Sequence, residues 1–190
     1  MLKKDIRKKY IGKRQSLTQL DFEKLNDLLF IRFQQTELPF IDVLHRYLPA
    51  AGHKEPETAT IAAWLAHNNP GMIEVIPRAD VSGNGLLSFV YDENTVLETS
   101  VWGIPEPAGG ESIDASMIDL VLVPLLAFDV RGYRVGFGKG YYDRFLATCR
   151  NDCIRIGLSF FGPADNIIDV NEFDIPLNLC ITPERIHEFT

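Results

Sequence analysis

No stretch of this 190-residue sequence approaches the roughly 18 consecutive apolar residues that a membrane-spanning helix needs. The chain opens with basic residues, Lys3 and Lys4, but no apolar block follows them, so no signal peptide is expected. Cysteine is scarce, with only Cys149, Cys153 and Cys180. The first two stand four residues apart, which suits neither a zinc knuckle nor a Cys-x-x-Cys redox site. An odd, unpatterned set reads as reduced thiols that pack as small hydrophobes in a reducing compartment. The four histidines, His45, His53, His67 and His187, form no clustered spacing and read as structural or solvated. Excess positive charge is also missing: the net charge is −7, so nucleic acid is not expected as a partner. No internal repeat, low-complexity tract or long linker divides the chain. A cytoplasmic protein of one domain, 1–190, is expected, with no membrane partner.

What is present is ordinary in bulk and uneven in detail. Hydrophobic residues make up 46% and charged residues 24%, near the averages for soluble domains, and the chain is long enough to bury a sizeable core. Residues 1–14 hold Lys3, Lys4, Arg7, Lys8, Lys9, Lys13 and Arg14 against the single acid Asp5, a local balance of +6 that leaves −13 on the remainder. Such a basic arm is either a solvated helix face or a phosphate clamp, and composition does not choose.

Periodicity predicts a mostly polar helix over 1–15 with Ile6, Tyr10 and Ile11 as a thin apolar stripe. A second helix is predicted to about 36, capped by Ser16 or Thr18, with Leu25, Leu28, Leu29 and Phe33 at helical spacing. Strands are predicted at 40–47, 72–77, 86–91, 118–123, 153–159 and 179–182. The run at 118–123 is almost continuously aliphatic, as a strand buried on both faces requires. A helix is predicted from Pro56 to Asn68, and another over about 139–150. Helices alternating with short apolar strands argue for an α/β domain with a mostly parallel central sheet in a three-layer αβα arrangement. Ligands in such sheets lie at the carboxyl ends of strands, which directs attention to the segment after 123.

There the chain reads Gly136-Phe137-Gly138-Lys139-Gly140-Tyr141-Tyr142-Asp143. Alternating glycines let backbone N–H groups approach a ligand, and a helix start adds unsatisfied donors. With Lys139 and Arg134 supplying full charges, this is phosphate-binding chemistry. It is neither common nucleotide motif: Tyr133 replaces the first glycine and Gly140 the Ser/Thr of a Walker A loop, while Tyr141 replaces the last glycine of a dinucleotide fingerprint. Asp143, four residues after Lys139, is placed on the same side of the new helix. It is either a magnesium ligand beside the phosphates or a carboxylate stabilising the helix start. The glycines in turn are either a cradle or an ordinary hairpin and turn.

The segment 124–146 resembles the signature of the 5-formyltetrahydrofolate cyclo-ligases, also called methenyltetrahydrofolate synthetases. Pro124, Leu126, Ala127, Phe128, Asp129, Gly132, Arg134, Gly136, Gly138, Gly140, Tyr141, Tyr142, Asp143 and Arg144 match that signature. Lys3-Lys4-Asp5-Ile6-Arg7 resembles the family's Lys-x-x-x-Arg element, Val75-Ile76-Pro77-Arg78 its strand ending in Pro-Arg, and Trp102-Gly103-Ile104-Pro105-Glu106-Pro107 its tryptophan loop. Glu55-Pro56-Glu57-Thr58 is similar to its Glu-x-Asp/Glu-Thr element, and Asn171-Glu172-Phe173-Asp174 to its late acidic element, although Phe173 and Asn178 depart from the family's usual histidine and aspartate there.

The resemblance implies an ATP- and Mg²⁺-dependent ring closure of 5-formyltetrahydrofolate to 5,10-methenyltetrahydrofolate with release of ADP and phosphate, by a monomer. It implies that Lys139 and Arg134 are catalytic, and that Lys3, Arg7 and residues 134 and 136–142 (Gly136, Phe137, Gly138, Gly140, Tyr141 and Tyr142 among them) bind ATP. Glu55, Trp102 and Tyr141 would bind the folate, and Asp143 with Asp174 the metal. The competing readings are a family member that binds folate or nucleotide without turnover, and a sugar-phosphate or CoA enzyme on a similar scaffold.

Overall fold

The computed structural model describes residues 1–50, 52–80, 82 and 85–189. Helix α1, Lys3–Gln15, and helix α2, Gln19–Phe33, open the chain. Thr18 rather than Ser16 caps α2: its side chain accepts from Asp21 N–H at 3.1 Å, and Asp21 accepts in turn from the Thr18 N–H at 3.2 Å. Of the expected α2 stripe, Leu29 and Phe33 enter the core, but Leu28 turns outward.

Strand β1, Val43–His45, precedes helix α3, Ala59–Asn68. The helix expected from Pro56 starts three residues later because residues 56–58 spend their polar groups on tertiary contacts. The Pro56 carbonyl accepts from Tyr47 Oη, the Glu57 N–H donates to Asn26, and the Thr58 hydroxyl donates to the Tyr47 carbonyl at 2.7 Å. Strands β2, Ile73–Asp80, and β3, Gly85–Val90, form a hairpin. Short strands β4, Leu97–Thr99, and β5, Pro105–Pro107, pair around the Trp102 turn, and β6, Ser112–Ile113, joins β3.

Strand β7, Leu120–Val123, is buried throughout, as its aliphatic run requires. A hairpin of β8, Ala127–Phe128, and β9, Arg134–Val135, follows. Its turn is closed by the Gly132 N–H on the Asp129 carbonyl at 3.0 Å, and Gly132 adopts φ +83°. Helix α4 covers only Tyr141–Leu146, shorter than the 139–150 expected. Strands β10, Ile154–Leu158, β11, Leu179–Ile181, and β12, Ile186–Glu188, complete the chain.

The main sheet runs β12-β11-β10-β7-β1-β2-β3-β6, with β11, β10, β7, β1 and β2 mutually parallel and antiparallel strands at both edges. Alternation along β7 divides the core between the two faces. Leu120 and Leu122 pack with Leu29, Phe33, Ile61 and Leu65 of α2 and α3. Val121 and Val123 pack with Phe128 of the hairpin and with Phe145 and Leu146 of α4. The expected α/β fold with a mostly parallel sheet is therefore present. A third cluster seats Ile6 and Tyr10 of α1 on Leu126, Ala127 and Val135.

From β1 the chain proceeds to β2 on one side, and it returns only later to β7 on the other. This is a topological switch point, where adjacent loops leave the sheet in opposite directions and open a crevice.

Candidate functional site at the switch point

The crevice is a cleft of about 550 Å³, within the range of sites that enclose small organic ligands. Tyr47, Leu48, Ala50, His53 and Glu55 enter it after β1, and Pro124 and residues 134–143 after β7. Pro77 and Ala79 come from β2, Trp102 from the β4–β5 turn, Lys3 and Arg7 from α1, and Asp174 from the segment before β11. All fourteen side chains and glycines picked out as site residues line this one cleft: Lys3, Arg7, Glu55, Trp102, Arg134, Gly136, Phe137, Gly138, Lys139, Gly140, Tyr141, Tyr142, Asp143 and Asp174.

At one end lies the glycine run. Among the described residues, the N–H groups of 136–140 donate to no backbone carbonyl. Gly138 and Gly140 hold φ of +94° and +70°, a region that glycine enters without strain. Gly138 also meets a close approach, since a Cβ there would stand 3.0 Å from the Arg7 guanidinium. Arg7 Nε donates to the Gly136 carbonyl at 2.9 Å, so α1 and the loop are joined directly. Lys139 is exposed, and its side chain enters no ion pair among the described residues.

Two ion pairs flank this run. Arg134, nearly buried, donates to Asp143 Oδ1 at 2.9 Å and to the Ile175 carbonyl. Burial pulls the Arg134 pKa below its usual value, and Asp143 opposes that shift. Lys139 and Asp143 line the same cleft, but not as residues of one helix face as helical spacing suggests. Helix α4 begins at Tyr141, Gly140 is its left-handed N-cap, and the partner of Asp143 is Arg134. Lys3 Nζ meets Asp174 Oδ1 at 2.6 Å, and Asp174 Oδ2 also accepts from the Asn171 N–H at 2.7 Å.

A magnesium ion fits this set in one way. No group of three His, Cys, Asp or Glu side chains is clustered for a metal among the described residues. Asp143 Oδ2 accepts no hydrogen bond there, whereas both oxygens of Asp174 face Lys3. One free carboxylate oxygen beside a second carboxylate suits a metal that arrives with its phosphate ligands.

The other end is aromatic. Trp102 and Tyr141 stand with ring centroids 6.1 Å apart, and the Arg144 guanidinium lies over Tyr141 at 5.2 Å. Glu55 is buried, with Oε2 accepting from the Ala50 N–H at 2.9 Å. The Tyr142 hydroxyl is buried and unpartnered among the described residues. Burial, followed by the nearby Glu55, raises its pKa far above the usual phenol value. Behind it, His45 is fully buried, with its ring 4.5 Å from Phe145, and burial alone lowers its pKa to about 3.

Two residues that line the cleft, and one behind it, escaped the sequence reading as site residues. Tyr47 and His53 line it, and His53 packs on Phe137 with ring centroids 5.2 Å apart. Arg14, read with the polar arm, is buried behind Glu55. A signal for Arg14 existed, because it follows Ile6 and Tyr10 at successive four-residue steps and so shares their inward face.

Fold and cleft together define an α/β protein with a cation-rich crevice beside an aromatic recess, at the switch point of a mostly parallel sheet. The chain belongs to the 5-formyltetrahydrofolate cyclo-ligase family, which it matches over residues 2–183. Among curated relatives, it is 31% identical over 111 residues to the 5-formyltetrahydrofolate cyclo-ligase of Escherichia coli K12, covering 57% of this chain and 61% of that protein. It is 38% identical over 74 residues to that of Mycoplasma pneumoniae, covering 38% of this chain and 44% of the relative. The aligned stretches thus span about half the length of these relatives. Among solved structures, the 5,10-methenyltetrahydrofolate synthetase of Aquifex aeolicus superposes with a TM-score of 0.72 at 27% identity, covering 99% of this chain and 93% of that one. The synthetase of Mycoplasma pneumoniae superposes with a TM-score of 0.75 at 24% identity, covering 95% and 98%. That pair shares the fold. No helix of the described residues is long and apolar enough to cross a membrane.

Proposed function

We propose that this protein closes 5-formyltetrahydrofolate to 5,10-methenyltetrahydrofolate at the expense of ATP, releasing ADP and phosphate. The observation that carries the reading is the division of a single cleft into a cation-rich end with free backbone donors and an aromatic end holding a buried carboxylate. A triphosphate suits the first and a flat heterocycle bearing N–H donors suits the second.

The chemical obstacle is a poor leaving group, the formyl oxygen on N5. Transfer of the γ-phosphoryl group to that oxygen converts it into a phosphate ester. N10 then attacks the formyl carbon and gives up its proton to water, the C–O bond breaks, and inorganic phosphate departs to leave the methenyl bridge. Phosphoryl transfer depends on alignment and on neutralising charge, so the work falls to positioned cations and donors. Lys139, exposed and without an ion pair among the described residues, meets the transferring group. Residues 136–140 offer N–H donors to phosphate oxygens, and Arg7 and Lys3 close α1 over the nucleotide. Arg134 orients Asp143. A magnesium ion bound with the triphosphate would be held by Asp143 Oδ2 and Asp174, and it would supply charge neutralisation. Trp102 and Tyr141 receive the pterin, and Glu55 accepts from its nitrogens.

The test is direct. Purified protein given 5-formyltetrahydrofolate, ATP and magnesium should generate the methenyl chromophore with one ADP per turnover. Folded protein that yields no absorbance change overturns the enzymatic reading; if it still binds folate, sequestration without turnover takes its place.

A further inference from the structure

Arg14 ends α1 on the face that carries Ile6 and Tyr10, and it is 3% exposed. Its guanidinium donates to the Leu125 carbonyl, between β7 and β8, while Nη1 has no acceptor among the described residues. The carboxylate facing that nitrogen is Glu55, with Nη1 and Oε1 3.9 Å apart. At this separation the two attract through charge but share no hydrogen bond.

Glu55 spends Oε2 on the Ala50 N–H, whereas Oε1 accepts no hydrogen bond among the described residues. Glu55 lines the cleft and Arg14 does not. A buried carboxylate without a countercharge tends to take up a proton, and a carboxyl group both donates and accepts. A guanidinium keeps its charge in the interior more firmly than an ammonium, so arginine suits a buried countercharge. Burial works against the Arg14 charge, and Tyr47 and Glu55 work in its favour.

We infer that Arg14 is a positioning residue, whose charge fixes the Glu55 carboxylate from behind so that Oε1 meets the cleft as a hydrogen-bond acceptor. The ligand edge that this selects carries adjacent N–H donors, as an aminopyrimidine ring does. A ring presenting acceptors there is rejected, because two acceptors would face each other with no proton between them. The inference rests on the folate reading of the cleft and deepens it. Recognition at the heterocycle end then depends on a residue that touches no substrate, at the far end of the helix whose Lys3 and Arg7 attend the phosphates.

The experiment measures 5-formyltetrahydrofolate binding in the absence of nucleotide, by quenching of tryptophan fluorescence, together with KM for each substrate. Arg14→Met should weaken folate binding and raise folate KM by about tenfold or more, the scale of losing one partner of a buried charge pair. KM for ATP, and kcat at saturating folate, should move by less than about twofold. Arg14→Lys should recover part of the loss. In a Glu55→Gln background, where no charge remains to hold, Arg14→Met should add less than about a further twofold. An equal rise in ATP KM, or a full-sized effect in the Glu55→Gln background, overturns the positioning role. If Arg14→Met does not fold, Arg14→Lys measured alone and with Glu55→Gln carries the same comparison. Native protein that binds no folate would defeat the folate reading itself, whereas native binding that is insensitive to Arg14 defeats only this inference.

Discussion

At the glycine end of the cleft, Lys139 stands in solvent without an ion pair among the described residues, and Arg7 lies across Gly138. At the end that follows β1, Arg14 and Glu55 are 3% and 6% exposed, with Tyr47 and Tyr142 as their neighbours. The same pairing of cation and ligand surface is therefore built in two ways. Charges held in water are cheap to carry and can exchange partners when a polyanion arrives. Charges held in the interior are costly to desolvate and must be fixed by one another, which makes them selective and sensitive to any change in a partner. A substrate that delivers several phosphates suits the first construction, and a flat ring with a set pattern of donors suits the second.

Removing Lys139 should break the comparison most sharply. Lys139→Ala should reduce turnover by about 100-fold or more, the scale of losing one charge-stabilising donor, as read by methenyl absorbance. Thermal unfolding should shift by less than about 1 kcal/mol, as for a surface change. A large stability loss would return the lysine to a structural role.

The buried end predicts a pH effect that the glycine end lacks. The His45 pKa, about 3 in the folded chain, lies below its ordinary 6.5, so the unfolded chain takes up the proton first as pH falls. The His45 contribution is complete above pH 6.5 and is lost progressively as the pH drops toward 3. By pH 5 the loss should reach on the order of 2 kcal/mol. Urea unfolding at pH 7.5 and 5 should show that His45→Gln removes this part of the slope; an unchanged slope would show that His45 already protonates in the fold.

Gly138→Ala sharpens the view of the exposed end. Its φ of +94° and the Arg7 contact should together cost about 1–3 kcal/mol and displace Arg7. KM for ATP should rise while folate binding without nucleotide is unchanged. Phe173→His restores the residue usual in the family at a position 74% exposed. Its effect on stability should stay below about 0.5 kcal/mol in the same melts. A larger shift would show that Phe173 packs against the strap formed by Lys3 and Asp174.

Much of the scaffold was legible because local chemistry was strong. The aliphatic run became β7, the Thr18 box started α2, and the glycines before Tyr141 became a loop with two left-handed residues. The helix expected from Pro56 to Asn68 forms over Ala59–Asn68, its start delayed where tertiary hydrogen bonds with Tyr47 and Asn26 override local propensity. Lys139 and Asp143 share the cleft but not a helix, because the left-handed Gly140 interrupts the helical spacing between them. The hairpin of β8 and β9 has strands of two residues, too short for any periodicity to declare.

Residue order alone was enough to point to phosphate chemistry at Gly136–Gly140 and Lys139, since glycine spacing and charge act over a few positions, while it left Asp143 between a metal ligand and a helix-start carboxylate. It was also enough to assign the family, through identities scattered along the chain. Only the fold decided that Arg134 serves Asp143, that Lys3 faces Asp174, and that Arg14 of the basic arm points inward to Glu55. Those pairings join residues brought together by strand order and helix docking. Charge patterns along a chain carry no record of which neighbour burial will force upon them.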